Sequence, residues 1–169
     1  MRIFYSVIIF VAICVIAIFA IGIAAPEQYE QELSATYDYK IEKVWNILTS
    51  VENYPLKKNN LVEIEVLDSS YSRIFEWREI YSDKIMEYKV LEKNPYYYKV
   101  EVKEDNFYEG VWEYYLEFTD KTKLTIVEKS VNTNIWERGI DTILRRNQYI
   151  NNEFKWIRVS LLNDLIYEL

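Results

Sequence analysis

Hydrophobic and polar positions alternate with a period of two along most of the chain, and this pattern predicts strands. The first predicted strand covers 31–39, where Leu33 and Ala35 alternate with polar neighbours. Six more strands are predicted, separated by short turn-forming sequences. Their bounds are 62–68, 73–81, 85–92, 96–104, 110–118 and 123–130. Because the connections are short, successive strands should pair antiparallel as a meander.

Two segments show the spacing of three to four residues that predicts helix. The first covers 41–50, and Asn53-Tyr54-Pro55 follows its end. The second runs from Trp136 to Leu165, with a break near Arg146-Asn147. The element order predicts an α+β fold, in which one curved antiparallel sheet of about seven strands wraps around a long C-terminal helix.

The N-terminal segment is an unbroken apolar run rather than an alternating one. Residues 3–25 are 23 residues without a charge, and about 20 suffice to cross a bilayer. Arg2 precedes the run and acidic residues follow it, which predicts a cytoplasmic N-terminus and an extracytoplasmic domain, periplasmic or extracellular. A cleaved signal peptide, cut before Ala25, is the alternative. The length of the run favours a single-pass anchor at 1–26 and a domain at 29–169.

Composition removes several kinds of chemistry from consideration. The net charge is -7, and an acidic surface disfavours binding to nucleic acid. The chain has no His, and its only Cys, Cys14, lies in the apolar run. The domain therefore cannot build a disulfide, a Cys/His zinc site or a triad with an imidazole base. No metal, cofactor or catalytic residue is predicted, and the sequence identifies no protein partner.

The clearest strand, 110–118, indicates which side chains face the interior. Trp112 and Tyr114 share one of its faces, and period two then selects the inward positions of the neighbouring strands. The candidate ligand-binding residues are Phe75, Trp77, Met86, Tyr88, Tyr98, Val100, Trp112, Tyr114, Ile126 and Glu128. Rings with polar tips suit a binding pocket, but so many large rings could also fill the core themselves.

Two acidic residues continue these inward faces. If Glu128 is buried, its pKa should rise, and it could orient a ligand hydroxyl or act as a general acid or base. The alternative is that Glu128 reaches solvent, or pairs with a basic residue, near the end of its strand. Glu79 lies on the face of Phe75 and Trp77 and is a second candidate for a carboxylate in the interior.

Several short motifs, in this order, resemble the START-like superfamily, also called SRPBCC or polyketide cyclase/dehydrase-like. Residues 40–45, KIEKVW, resemble its opening x-x-x-E-x-V-W, and residues 51–55, VENYP, resemble the next segment, which ends in Tyr-Pro. Gly110-Val111-Trp112, residues 122–125 and residues 134–138 resemble the starts of the last two strands and the C-terminal segment. Leu56 or Lys57 stands where Trp is usual, and Lys121 stands where Gly is common.

The resemblance implies a helix-grip fold with a deep cavity between the sheet and the C-terminal helix. Members of the superfamily bind lipids, sterols, polyketides or other apolar molecules there. We therefore favour a membrane-anchored carrier or sensor of a lipid or other apolar small molecule. One alternative is an interaction or scaffold module of a membrane assembly with a filled cavity. The other is a cyclase- or dehydratase-like enzyme that uses Glu and Tyr, since a fold alone does not fix function.

Overall fold

A computed structural model shows a seven-stranded antiparallel sheet that curves around the C-terminal helix. The structure describes residues 2–56, 58, 60–70, 73–104, 108–145 and 148–167. The strands are β1 Gln28–Tyr37, β2 Leu61–Ser70, β3 Arg73–Tyr81, β4 Ile85–Asn94, β5 Tyr97–Glu104, β6 Tyr108–Phe118 and β7 Thr122–Val131. The helices are α1 Arg2–Ala24, α2 Ile41–Thr49, α3 Ile135–Ile140 and α4 Gln148–Tyr167. A 3₁₀ turn, Val51–Leu56, follows α2, and a π-helical turn, Asp141–Arg145, follows α3.

The strand order confirms the predicted α+β fold and antiparallel meander. The order is β1-β7-β6-β5-β4-β3-β2, with every neighbouring pair antiparallel. The first strand therefore pairs with the last, with Gln28 opposite Val131. α2 and the 3₁₀ turn then carry the chain across the sheet to β2, the outermost strand on the side opposite β1.

Several strand bounds differ from the prediction by one to three residues, and two of these differences have a clear cause. β1 begins at Gln28, because its backbone pairs with β7 from that residue although its side chains there are polar. β5 begins at Tyr97 rather than at residue 96, because Tyr96 has φ 63, a turn conformation that interrupts the strand. The predicted helix break near Arg146-Asn147 lies outside the described residues.

α1 lies at one border of the sheet, which is formed by the ends of all seven strands and not by an outermost strand. Because α1 leads directly into β1, the first residue of β1, Gln28, marks this edge. In an antiparallel sheet the same edge holds the ends of β3, β5 and β7 and the starts of β2, β4 and β6. We call it the α1-side edge. Tyr81 and Tyr108 lie there, whereas Phe118 lies at the opposite edge.

The core lies between the sheet and α4. The buried apolar side chains of α4 are Ile150, Phe154, Trp156, Ile157 and Leu161, and they form one cluster with the inward residues of the sheet. Each fully buried side chain of this size stabilises the fold by roughly 1.5–3 kcal/mol. The hydroxyl of Tyr37 also donates to the carbonyl of Phe154, which ties β1 to α4.

Candidate functional site

A cavity of about 310 Å³ lies between the sheet and α4 at the α1-side edge. This volume is at the lower end of the range of about 300–1,000 Å³ that is usual for small-molecule sites. The residues that line it come from the sheet (Tyr81, Met86, Tyr88, Trp112), from α4 (Tyr149, Asn152, Glu153, Lys155, Trp156, Val159) and from the connecting segments (Lys58, Asn60, Lys84). Ring faces and charged groups therefore share one cavity.

The ten candidate residues from the sequence fall into four groups. Met86, Tyr88 and Trp112 line this cavity. Trp77, Tyr98, Val100, Tyr114 and Ile126 are buried in the core and do not line it. Glu128 lines a second cavity. Phe75 is 37% exposed, because it precedes the segment of β3 that pairs with β4, which begins at Glu76.

A buried ion-pair cluster forms one wall of the larger cavity. The Lys58 ammonium lies 2.9 Å from Glu79 Oε1 and 3.6 Å from Glu153 Oε1. Lys58 is 8% exposed and Glu79 is fully buried. The ammonium also lies 4.4 Å from the ring centre of Tyr54 and 5.1 Å from that of Trp156. Such ring faces attract a cation by cation–π interaction.

Hydrogen bonds fix the two carboxylates of this cluster. The indole N–H of Trp77 and the hydroxyl of Tyr81 donate to Glu79, the first over 3.3 Å. The indole N–H of Trp156 donates to Glu153 over 2.6 Å. The carboxylate of Glu79 therefore has donors on both oxygens, including Lys58. This arrangement orients the cluster before any ligand binds.

The cluster holds two carboxylates for one ammonium. Burial, together with the charge of Glu79, raises the pKa of Glu153, although Lys58 lowers it. Burial alone would lower the pKa of Lys58, but the two carboxylates outweigh it and the pKa is raised. Lys58 thus stays charged, while Glu153 takes up a proton more readily than an exposed carboxylate does.

The tyrosines around this cluster are hydrogen-bond donors rather than bases. Burial raises the pKa of Tyr54, Tyr81, Tyr88 and Tyr114, and the nearby glutamates raise it further. Their hydroxyls therefore keep their protons at neutral pH. A phenolate at this position would add a further negative charge to two buried carboxylates.

A smaller cavity of about 140 Å³ lies next to the first, nearer to α1. Its lining comes from the α1–β1 connection (Ala25, Pro26, Glu27), from the sheet (Tyr29, Gln31, Tyr108, Glu128, Ser130) and from the segment after β7 (Asn132, Arg138, Asp141, Thr142, Tyr149). Tyr149 lines both cavities, and its ring centre lies 5.6 Å from that of Tyr108. Tyr149 is therefore shared by the two linings.

Glu128 is buried in the smaller cavity rather than solvent-exposed, with 2% of its surface accessible. The Tyr108 hydroxyl donates to its Oε1 over 2.6 Å, and the Gln31 amide donates to its Oε2. The Trp112 indole N–H in turn donates to the Tyr108 hydroxyl over 2.6 Å. Burial raises the pKa of Glu128, although these hydrogen bonds oppose the shift.

Arg138 connects α3 to the end of α1. The carbonyl of Gly22 has no intrahelical donor, because the residue four positions on is Pro26, which lacks an N–H. The Nε of Arg138 donates to that carbonyl over 3.0 Å, and its Nη1 lies 3.1 Å from Glu27 Oε1. A cation at a helix C-terminus also interacts favourably with the helix dipole.

Sequence reasoning missed every charged residue that lines the larger cavity. Glu153 carried a usable signal, because it lies three residues after Ile150 and four before Ile157, on the apolar stripe of α4. Lys58 carried none, since it lies in a polar segment and its partners are distant in the sequence. Only the fold brings Lys58, Glu79 and Glu153 together.

Comparisons by sequence and by structure give different results. No protein-family model matches the chain, and no curated protein matches it significantly. Solved structures match it well despite low sequence identity. A START superfamily protein from Mycobacterium smegmatis aligns with a TM-score of 0.60 and 12% identity, over 81% of this chain and 99% of that one.

Two enzymes share the same fold. The Zhui aromatase/cyclase from Streptomyces sp. R1128 aligns with a TM-score of 0.61 and 12% identity, over 77% of this chain and 91% of that one. Norcoclaurine synthase from Thalictrum flavum aligns with a TM-score of 0.63 and 8% identity, over 85% of this chain and 91% of that one. The chain therefore has the START-like, helix-grip fold, as its motifs predict. At these identities the likeness establishes the fold and not the activity.

Proposed function

We propose that this chain is a membrane-anchored carrier or sensor that binds a lipid or other apolar small molecule in the larger cavity. The observation that supports this most is the cavity of about 310 Å³ between the sheet and α4. The rings of Tyr88 and Trp112 offer apolar contact on one side, and Lys58 and Glu153 offer polar contact on the other. The expected ligand is a mainly apolar molecule with one polar group.

The proposed anchor is α1. Its apolar segment Phe4–Ala24 has 21 residues, which is long enough to cross a bilayer. Its side chains are mostly exposed, and so long an apolar surface favours lipid over water. The packing of α1 on α3 supports a retained anchor rather than a cleaved signal. With Arg2 in the cytoplasm, the domain at 29–169 lies on the extracytoplasmic side.

The two alternatives fit the site less well. A scaffold module with a filled interior leaves the larger cavity unexplained. An enzyme would find a carboxyl of raised pKa in Glu153. However, Glu153 is already held by Trp156 and Lys58, and the nearby tyrosines are donors that do not readily lose a proton. The proposal is therefore binding without chemistry.

A plug at the cavity should block ligand binding. Asn152 lines the larger cavity, and Asn152→Trp would place an indole in it. The full chain in phosphatidylcholine vesicles would be photolabelled with a diazirine-bearing fatty acid, and the labelled peptides identified by mass spectrometry. We expect labelling of β4 and α4 in the natural chain, and about tenfold less in Asn152→Trp.

The control is the same substitution one residue earlier. Asn151 is exposed on α4 and lines neither cavity, so Asn151→Trp should keep the labelling of β4 and α4. Labelling of α1 measures exposure to bilayer lipid and should be equal in all three proteins. This cavity is not the site if β4 and α4 remain unlabelled in the natural chain. It is also not the site if their labelling is unchanged in Asn152→Trp.

A further inference from the structure

α3 packs against the end of α1 at backbone contact. A Cβ on Gly139 would lie 2.3 Å from the carbonyl oxygen of Ile18, and a Cβ on Gly22 would lie 1.9 Å from that of Ile135. Only glycine permits helices to approach so closely, as it does between helices in membranes. The position of α3 is therefore fixed to the segment 18–22 of α1.

The two faces of α3 and its π-helical turn differ in character. Arg138, Asp141 and Thr142 line the smaller cavity. Trp136 in α3 and Ile143 in the π-helical turn are seven residues apart, slightly less than two turns, and so lie toward one side of the segment. They are 40% and 49% exposed, and neither lines the larger or the smaller cavity. One side of this segment thus forms the wall of a cavity, and the other leaves two large apolar side chains partly exposed.

The contact with α1 fixes the depth of this apolar surface. The ring of Trp136 lies 5.8 Å from that of Phe19, within the last seven residues of the apolar helix, 18–24. If those seven residues stood clear of the bilayer, the 14 residues 4–17 would span only about 21 Å. That is too short for a hydrocarbon core of about 30 Å. Residues 18–24 must therefore lie in the membrane, with α3 beside them.

We propose that α3 enters the membrane beside the last residues of α1, with Trp136 and Ile143 in lipid and Arg138 on the opposite side, at the smaller cavity. This inference rests on the proposed anchoring of the chain by α1. Trp136 contacts Phe19 close to the outer end of the proposed span, and Trp is enriched there, where its ring meets both acyl chains and head groups. The bilayer then covers the apolar face, and the α1-side edge, where both cavities lie, faces the membrane.

Depth-dependent quenching on the full chain tests the proposal. With Cys14 replaced by Ala, single cysteines at Phe10, Ile143 and Phe118 would carry an NBD label in phosphatidylcholine vesicles. The vesicles would contain lipid that is spin-labelled either near the head group or near the end of the acyl chain. The shallow spin label should quench the probe at Ile143 about threefold more than the probe at Phe118. The deep spin label should quench the probe at Phe10 most.

The probe at Phe10 separates two kinds of failure. If Phe10 is quenched while Ile143 is quenched no more than Phe118, α1 spans the bilayer but α3 stands clear of it, and the inference is wrong. If Phe10 is not quenched either, the chain is not anchored by α1, and the proposed anchor fails together with the inference. The probe at Phe118 is the control for a site outside the bilayer, because Phe118 is exposed at the end of the strands that is opposite α1.

Discussion

Replacing Lys58 with methionine should lower the free energy of unfolding by about 3–5 kcal/mol at pH 7. Among the described residues, Lys58 forms the only ion pair that Glu79 or Glu153 makes. Its loss leaves two buried carboxylates without a cation. Methionine keeps the length of the side chain and its contact with the rings of Tyr54 and Trp156, so the loss of charge dominates. Urea unfolding of the full chain in vesicles, followed by Trp fluorescence, measures the change.

The pH dependence of this loss separates a charge effect from a packing effect. The pKa of Glu153 is raised in the folded state, so its ionisation destabilises the fold as the pH rises through that pKa. Without Lys58 the pKa should rise further. The difference between Lys58→Met and the natural chain should therefore shrink as the pH falls from 7 toward the ordinary value of 4.5. A packing defect would stay constant over that range.

Lys89→Met is the matched control. Lys89 is exposed, and its ammonium lies 3.8 Å from Glu76. An exposed ion pair of this kind contributes about 0–1 kcal/mol, so this variant should unfold almost as the natural chain does. If Lys58→Met were as stable as Lys89→Met at pH 7, the buried cluster would not exist as described.

Replacing Gly22 with leucine should detach α3 from α1. Its Cβ would meet the backbone oxygen of Ile135, which cannot turn away as a side chain can. Overpacking of this kind costs about 1–3 kcal/mol. Amide exchange of residues 135–140 should then accelerate by about tenfold to a hundredfold, because they open more often. Hydrogen exchange of the full chain in vesicles, read by mass spectrometry, measures this.

Ala20→Leu tests whether the effect depends on the contact surface. Ala20 lies two residues from Gly22 on α1, and its side chain is exposed. The same leucine there should leave exchange of residues 135–140 unchanged while α1 stays apolar. Equal exchange in both variants would mean that α3 and α1 do not pack as the structure indicates.

The fold could be predicted from the sequence because its signals are local. Alternation in 110–118 fixes the inward face of one strand, and short turns force the neighbours to pair antiparallel. Long-range pairing also explains the errors. Backbone pairing with β7 extends β1 to Gln28, and the start of the β3–β4 ladder at Glu76 leaves Phe75 half exposed.

The site was less predictable because it depends on residues that meet only in the folded chain. Lys58 lies 21 residues before Glu79 and far from Glu153, and no spacing rule connects them. Period two correctly placed Met86 and Trp112 on the inward face, but it could not say whether the space beside them is filled. That depends on how α4 sits, and Tyr149 and Asn152 complete the lining from there.

Native mass spectrometry of the full chain, extracted from its own membrane in a mild detergent, tests directly whether an apolar molecule occupies the larger cavity. We expect one discrete adduct with the mass of a lipid or another mainly apolar molecule. The adduct should be present in the natural chain and in Asn151→Trp, and lost in Asn152→Trp. An adduct-free natural chain, or the same adduct in all three proteins, would contradict binding in the cavity between the sheet and α4.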